Sequence, residues 1–475
     1  MNGLAVPHKG GLLMASVTKR GDSYVVRYVY VNDQGDRCPG WETFKTEEEA
    51  KNRKIAIEAE LRNGTFLIPN QITVRELFEQ WLPIQSRKHK WAPSTYVGTV
   101  AQAQNLILPY IGNLEVQKVR SYHIEKLYSL LSQTPCGLYI QGERQELSEK
   151  QKKRLLSGTT IHEVHTLLRT VFSYAVDWNI INKSPVPRDA PKTSTEERKI
   201  WNEETVAQAL KEIDDPMLHL AVHLTFVGAL RQGELLGLTP EDLDYEAADG
   251  RGTISICKTL QRIPKEALTK VRIDESYRVL EDKRECSSTS LVLKPTKTKK
   301  SKRVIFMTGP LKKELKSWIV RLEREEKNAG ESYRNSGMLF RLPNGTAVES
   351  TFLRKRFERW QEEHPGYEKI VFHGLRHSSA TYQLEVSGGD IKAVQGNTGH
   401  AQAGILVDTY AHIQNRARID LAARIEQDFY SADENDATIH KPTKCTDKMS
   451  FSDILEVIQQ ADPAQKKQLT LALLA

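Results

Sequence analysis

The sequence predicts a multidomain α+β protein, mainly α-helical with small β-sheets, on three observations. The chain has 475 residues, more than one average domain, so two to four domains are expected. Apolar residues recur at helical spacing in two separate stretches, at Val74, Leu77, Phe78, Trp81 and Leu82 and again at Ile161, Val164, Leu167, Leu168, Val171, Phe172 and Ala175. The β-branched and aromatic runs are short and bounded by turn residues.

Taken in order, residues 1–13 read as a dispensable extension, because Met14 opens a second plausible start and no signal-peptide pattern stands before it. From Ser23 the run Ser-Tyr-Val-Val-Arg-Tyr-Val-Tyr-Val predicts a strand. Asn32-Asp33-Gln34-Gly35-Asp36 breaks it, and Trp41-Glu42-Thr43-Phe44 resumes one. Thr46 and the acidic residues Glu47, Glu48 and Glu49 open a helix that Asn63-Gly64 closes. Residues 1–68 are therefore expected to form a small ββ(β)α module, a three-stranded sheet with one helix.

Thr73-Val74-Arg75-Glu76 is a capping box that starts a helix. Tyr96 to Leu131 also reads as helical, and Asn182 and Pro185 stop the last helix, so residues 72–184 predict a helical domain. Its basic run Arg87, Lys88, His89 and Lys90 suits phosphate contacts or is plain solvated surface. Residues 185–199 contain Pro185, Pro187 and Pro191 and read as a linker. From 200 to 430 helices alternate with short strands at Thr253–Lys258, Leu291–Lys294 and Arg303–Met307, with the polar stretch Thr259–Ser290 as an insertion between the first two. Residues 431–475 form a tail whose segment Phe451 to Ile458 is apolar at helical spacing.

Composition bounds the partners only loosely. Lys+Arg of 68 against Asp+Glu of 61 gives a net charge of +7, a mild bias that suits a polyanion. Cys38, Cys136, Cys257, Cys286 and Cys445 lie far apart, with no C-x-x-C pair and no histidine at metal-ligand spacing, so a reducing cytosol and no structural zinc are expected. Leu218 to Leu230, interrupted by His219, His223 and Thr225, falls short of the roughly 20 apolar residues of a membrane span. A soluble protein is expected.

Five separated residues carry the chemistry. Arg231 stands in Gly228-Ala229-Leu230-Arg231-Gln232-Gly233-Glu234-Leu235, followed by His373-Gly374-Leu375-Arg376-His377, then Gly399-His400, then Tyr410. A guanidinium stays charged and holds two phosphate oxygens at once, so two arginines suit the charge that builds on five-coordinate phosphorus. A tyrosine hydroxyl is a weak nucleophile until a base or an electropositive site helps it, and histidine is suited to that help. Each residue alone has an ordinary explanation: Arg231 with Glu234 as an intrahelical ion pair, each histidine as a buried, backbone-satisfied ring, and Tyr410 as one of 16 tyrosines. His373 and Arg376, three apart, are expected to point the same way from one helical turn. His377 is expected to pack or to make a supporting hydrogen bond.

The order Arg…His-x-x-Arg…Gly-His…Tyr closely resembles the tyrosine recombinase (phage integrase) family, over roughly Thr73 to Ala423, in a layout most like integrases of temperate phages and conjugative transposons. The resemblance implies that Arg231, His373, Arg376 and His400 bind the scissile phosphate and that Glu234 positions Arg231. It implies that Tyr410 forms a 3′-phosphotyrosyl link. The general acid is then a lysine in the turn Pro295-Thr296-Lys297-Thr298-Lys299, with Lys297 the first choice and Lys299 the rival, because this chain has Pro-Thr-Lys where the family pattern has Pro-Lys-Thr.

The same resemblance makes residues 1–68 an arm-type DNA-binding module, 72–184 a core-binding (SAM-like) domain and 200–430 the mixed α/β catalytic domain. It implies double-stranded DNA with core-type and arm-type attachment sites as partner and a homotetramer on that DNA. An excision or directionality factor, a host DNA-bending protein and a bacterial cytosolic location follow from it as well. No cofactor or metal is expected. Two rivals remain: a type IB topoisomerase with the same chemistry, and a non-catalytic DNA-binding regulator on the same fold.

Overall fold

The computed structural model describes residues 15–32, 34–193, 199–271, 273–280, 287–296, 301–399 and 422. Strands β1 (Ser16–Arg20), β2 (Ser23–Val31) and β3 (Arg37–Phe44) form an antiparallel sheet in that order. The period of two sends Val26 and Tyr28 into a core with Ala50 and Ile57 of α1 (Glu47–Asn63). Arg27, Val29 and Val31 lie exposed on the other face of β2. Strand β3 begins at Arg37, four residues before the sequence predicts. It pairs with β2 from Val31↔Arg37 to Tyr24↔Phe44, and an edge strand tolerates Pro39.

A second core is helical. Its elements are α2 (Val74–Lys88), α3 (Pro93–Gln102), α4 (Leu108–Ile111), α5 (Ser121–Ser132), the hairpin β4 (Tyr139–Ile140) with β5 (Glu143–Arg144), α6 (Glu149–Lys152) and α7 (Gly158–Asp177). The capping box forms: Thr73 N–H donates to Glu76 Oε2 at 2.7 Å, and Glu76 N–H to Thr73 Oγ1 at 3.2 Å. Val74, Leu77 and Trp81 of α2 and Val164, Leu168 and Phe172 of α7 are buried in this core, as their spacing predicts.

The stretch Tyr96 to Leu131, read as helical, is helical in α3, α4 and α5 but is broken between them. The chain passes through a π-helical turn at Ala103–Ile107. Pro109 then lacks the N–H that helix continuity needs. Beyond Gly112 the backbone leaves the helix to pair with the start of α2, where Val74 N–H donates to Leu114 O and Val116 N–H to Ile72 O, both at 2.9 Å. The β4–β5 hairpin was not expected either.

The third core contains α8 (Glu203–Glu212), α9 (Pro216–Gly228), α10 (Gln232–Leu236), β6 (Leu243–Asp244), β7 (Thr253–Ile256), β8 (Lys258–Pro264), α11 (Lys265–Lys270), β9 (Arg278–Leu280), β10 (Thr289–Pro295), β11 (Arg303–Phe306), α12 (Gly309–Ala329), α13 (Ser350–Glu363), α14 (Gly374–Val386) and α15 (Ile391–Thr398). The three predicted strands do not form one group. Strands β11-β7-β6 make one antiparallel sheet and β8-β10-β9 another. The predicted insertion Thr259–Ser290 is therefore largely structured: β8 runs on to Pro264 because it pairs with β10 from Pro295↔Lys258 to Thr289↔Pro264, and β9 adds to the far edge of β10. The helical core meets these elements where Tyr96 and Val97 of α3 pack on Ile263, Ala267 and Leu268.

Candidate active site

The end of α9 organises the site. Ala229 leaves that helix in the left-handed region (φ 46), and the carbonyls of its last turn have no partner within the helix. Side chains from three other elements supply the donors. Ser379 donates to Phe226 O, Gln383 and Asn397 to Val227 O at 3.2 and 3.4 Å, Arg303 to Gly228 O at 3.4 Å, and Arg376 to Ala229 O. Elements up to 170 residues apart in sequence are thereby tied to the turn that carries Arg231.

The end of α15 is held in a matching way. Arg303 Nε donates to Asn397 O at 2.6 Å, Arg376 to Thr398 O at 2.8 Å, and Arg231 to Gly399 O at 3.5 Å. Three guanidinium groups thus sit against the negative end of one helix, where cations are favoured. Gly399 takes φ 67, and a Cβ there would stand 3.0 Å from Arg303 Nη1, so only glycine suits this close approach.

Glu234 joins the set from below. Its Oε1 accepts from Arg231 at 2.7 Å and its Oε2 from Arg303 at 3.0 Å, while Oε2 also accepts the Arg231 N–H at 3.1 Å and caps α10. Burial pushes the Glu234 pKa up, but Arg303 and Arg231 more than reverse that, holding it below its ordinary value. Gly233 and Gly237 bring α10 onto β8. A Cβ at Gly233 would stand 2.5 Å from Thr259 Oγ1, and one at Gly237 3.0 Å from Thr259 Cα.

Of the residues singled out in the sequence, Arg231, Glu234 and Arg376 are brought together here. His373 is exposed and precedes α14 as its N-cap, whereas Arg376 is 2% exposed; the two lie in one turn, with the Arg376 N–H donating to His373 O at 3.2 Å. His377 is buried with its ring edge-on to His373, centroids 5.0 Å apart. Lys297, Lys299, His400 and Tyr410 lie outside the described residues. Sequence reasoning missed Arg303, Ser379, Gln383 and Asn397. Arg303 ends the basic run Lys297 to Arg303 and reads there as one more surface charge. Only its burial sets it apart.

A cleft of about 1720 Å³ opens over Arg231 and Glu234. Thr259, Gln261, Lys294 and Ser301 line it on one side, and Arg87, Lys90 and Trp91 line it from the helical core. Lys88 of the same basic run turns instead to Tyr174, its ammonium 5.4 Å from the ring centroid. Among the described residues no helix is long and apolar enough to cross a membrane.

Comparison with known proteins identifies the family. A model of the phage integrase family matches residues 201–416, and one of the phage integrase N-terminal SAM-like domain matches residues 73–132. The chain is a tyrosine recombinase of the phage integrase family. The recombinase is 26% identical over 384 residues to a tyrosine recombinase XerC-like protein of Caldanaerobacter subterraneus subsp. tengcongensis, covering 78% of this chain and 86% of that one. It is 22% identical over 409 residues to the integrase of Staphylococcus phage L54a, covering 82% of this chain and all of the relative. Among solved structures, the Tn1549 transposon integrase in complex with a circular intermediate DNA shares the fold, with a TM-score of 0.54 and 19% identity over 74% of this chain and 99% of that one.

Proposed function

We propose that this recombinase cuts and rejoins DNA through Tyr410, integrating and excising a mobile element or prophage. Arg231, Arg376, His373 and His400 bind the non-bridging oxygens of the scissile phosphate. The Tyr410 hydroxyl loses its proton and attacks phosphorus, forming a 3′-phosphotyrosyl ester. The 5′ oxygen leaves with a proton from Lys297, or from its rival Lys299. The freed 5′ hydroxyl of a partner strand then attacks the phosphotyrosine and restores the diester, so the bond energy is conserved and neither ATP nor a catalytic metal enters.

The observation that carries this reading is the contact of Arg231 with Gly399 O, because Gly399 directly precedes His400 and Tyr410 follows ten residues later. A chain leaving Gly399 starts beside both arginines. Glu234 positions Arg231, and Arg303 positions Glu234. Residues 72–184 serve as the core-binding domain, 200–430 as the catalytic domain and 1–68 as the arm-type module, whose open sheet face carries Arg27 opposite Trp41. The partners are double-stranded DNA with core-type and arm-type sites, three further copies of the chain, an excision or directionality factor and a host DNA-bending protein, in the bacterial cytosol.

The test uses a nicked core-site substrate from which the short strand diffuses after cleavage, trapping the covalent complex. Tyr410→Phe removes one oxygen, so DNA binding should persist while the trapped adduct disappears. An adduct that survives in this variant would assign the nucleophile to another tyrosine, such as Tyr382 or Tyr430.

A further inference from the structure

Histidines 219 and 223 stand four apart on α9 and so share one face of that helix. Helix α12 brings Glu314 across to them. His219 Nδ1 lies 2.6 Å from Glu314 Oε1, and His223 Nδ1 lies 2.7 Å from Glu314 Oε2. The donor atoms of the three side chains all fall within 4.8 Å of one another. The side chains remain 31%, 15% and 23% exposed, so solvent reaches the point on which they converge.

We infer that His219, His223 and Glu314 bind one divalent transition-metal ion of the zinc class, which fastens α9 to α12. Two imidazoles and a carboxylate are a nitrogen-rich set that favours Zn²⁺, Co²⁺ or Ni²⁺ over Mg²⁺ or Ca²⁺. Three protein ligands with solvent access leave a fourth tetrahedral position for water. Ligand bonds of about 2.0–2.1 Å require donor atoms about 3.3 Å apart, so the two nitrogen–oxygen contacts must widen by about 0.6–0.7 Å, and any pair as far apart as 4.8 Å must close by up to about 1.5 Å. Small rotations of long side chains on two rigid helices supply that.

Proton balance is simple. A carboxylate only accepts, so each Nδ1 carries the hydrogen in the contacts seen here. On metal binding, a neutral ring moves that proton to Nε2, and a protonated ring releases one to solvent. The expectation of no histidine at ligand spacing overlooked this pair, because the third ligand is 91 residues away from His223. Their place gives the site a consequence. His223 lies one turn before Phe226, where the carbonyls that organise the active site begin, so the ion steadies the turn leading to Arg231 without touching the reacting phosphate.

The test takes tag-free full-length protein, strips it with chelator and titrates it with Co²⁺ and then Zn²⁺. Wild type should bind one Co²⁺ per chain with the visible absorption of a four- or five-coordinate ion. Zn²⁺ should displace the Co²⁺ and raise the thermal midpoint. Glu314→Gln, nearly isosteric, should weaken binding at least about tenfold, and His219→Ala with His223→Ala should abolish both the absorption and the thermal shift. Covalent DNA capture should survive stripping of the metal. Equal Co²⁺ binding by wild type and both variants would move the ion elsewhere and overturn the inference. Absence of both the absorption and the thermal shift in wild type would make the cluster a hydrogen-bonded contact only.

Discussion

Arg303 and Glu234 form an ion pair 3.0 Å long whose side chains are 4% and 3% exposed. Two charges so far from water are stable only while both remain and their other hydrogen bonds are met. Both conditions hold: Arg303 also donates to the carbonyls of Asn397, Ser301 and Gly228, and Glu234 also accepts from Arg231. The pair locks β11 to the start of α10 and to the end of α15, so the start of β11, the Arg231 turn and Gly399 depend on one buried contact.

Glu234→Gln should therefore cost about 3–5 kcal/mol, because it leaves the Arg303 charge buried and unpaired. The check is the denaturant midpoint, and an unchanged midpoint would refute it. The pH dependence has a defined sign. The folded pKa of Glu234 lies below its ordinary value, so its contribution is fully present above the unfolded pKa of about 4.3 and is lost as pH falls through the folded value. Wild type should lose stability in that acid range, and the glutamine variant should show a flatter acid limb.

Arg87 and Lys90 line the cleft opposite Arg231, whereas Lys88 is turned to Tyr174. Replacing Arg87 and Lys90 with alanine should lower the slope of log affinity against log salt by up to about 0.9 per residue, equally for every core sequence. Lys88→Ala should change the slope less. Equal effects from all three would mean that the whole run is one diffuse positive surface.

The open face of the N-terminal sheet pairs Arg27 with Trp41, and Trp41 is 68% exposed. An indole left in water at that level costs the fold little to lose, so Trp41→Ala with Arg27→Ala should leave the thermal midpoint within a few degrees. Binding to separate arm-type DNA should fall at least about tenfold while core-site cleavage persists. Undiminished arm-site binding would make this module a protein-interaction domain.

The choice between Lys297 and Lys299 is a question of chemistry. A sulfur leaving group is acidic enough to depart without a proton, so a substrate with sulfur at the 5′ bridging position should rescue only the variant that lacks the general acid. Lys297→Ala should be slow on ordinary DNA and largely restored on the sulfur substrate. Arg231→Ala should stay slow on both, since it stabilises charge on non-bridging oxygens. Rescue of Lys299→Ala in place of Lys297→Ala would reassign the acid.

Local rules were enough for much of the chain. The capping box at Thr73 and Glu76, the acidic start and glycine end of α1, and the apolar spacing of α2 and α7 each depend on residues within a few positions of one another, so the sequence alone determined them. Arg231 and Arg376 were also legible, through an order of residue types that only a phosphate-handling family spells out. Pairing over distance was not legible. The run of β8 to Pro264 comes from its register with β10, and the break near Pro109 from backbone pairing with residues forty or more positions earlier. The roles of Arg303, Ser379, Gln383 and Asn397 were decided only by tertiary structure, because their partners are the unsatisfied carbonyls at the end of α9 and the buried Glu234. An arginine in a basic run and a glutamate near another arginine carry no mark of burial in sequence. Packing removes the water from around them, and that makes one ion pair decisive for the site.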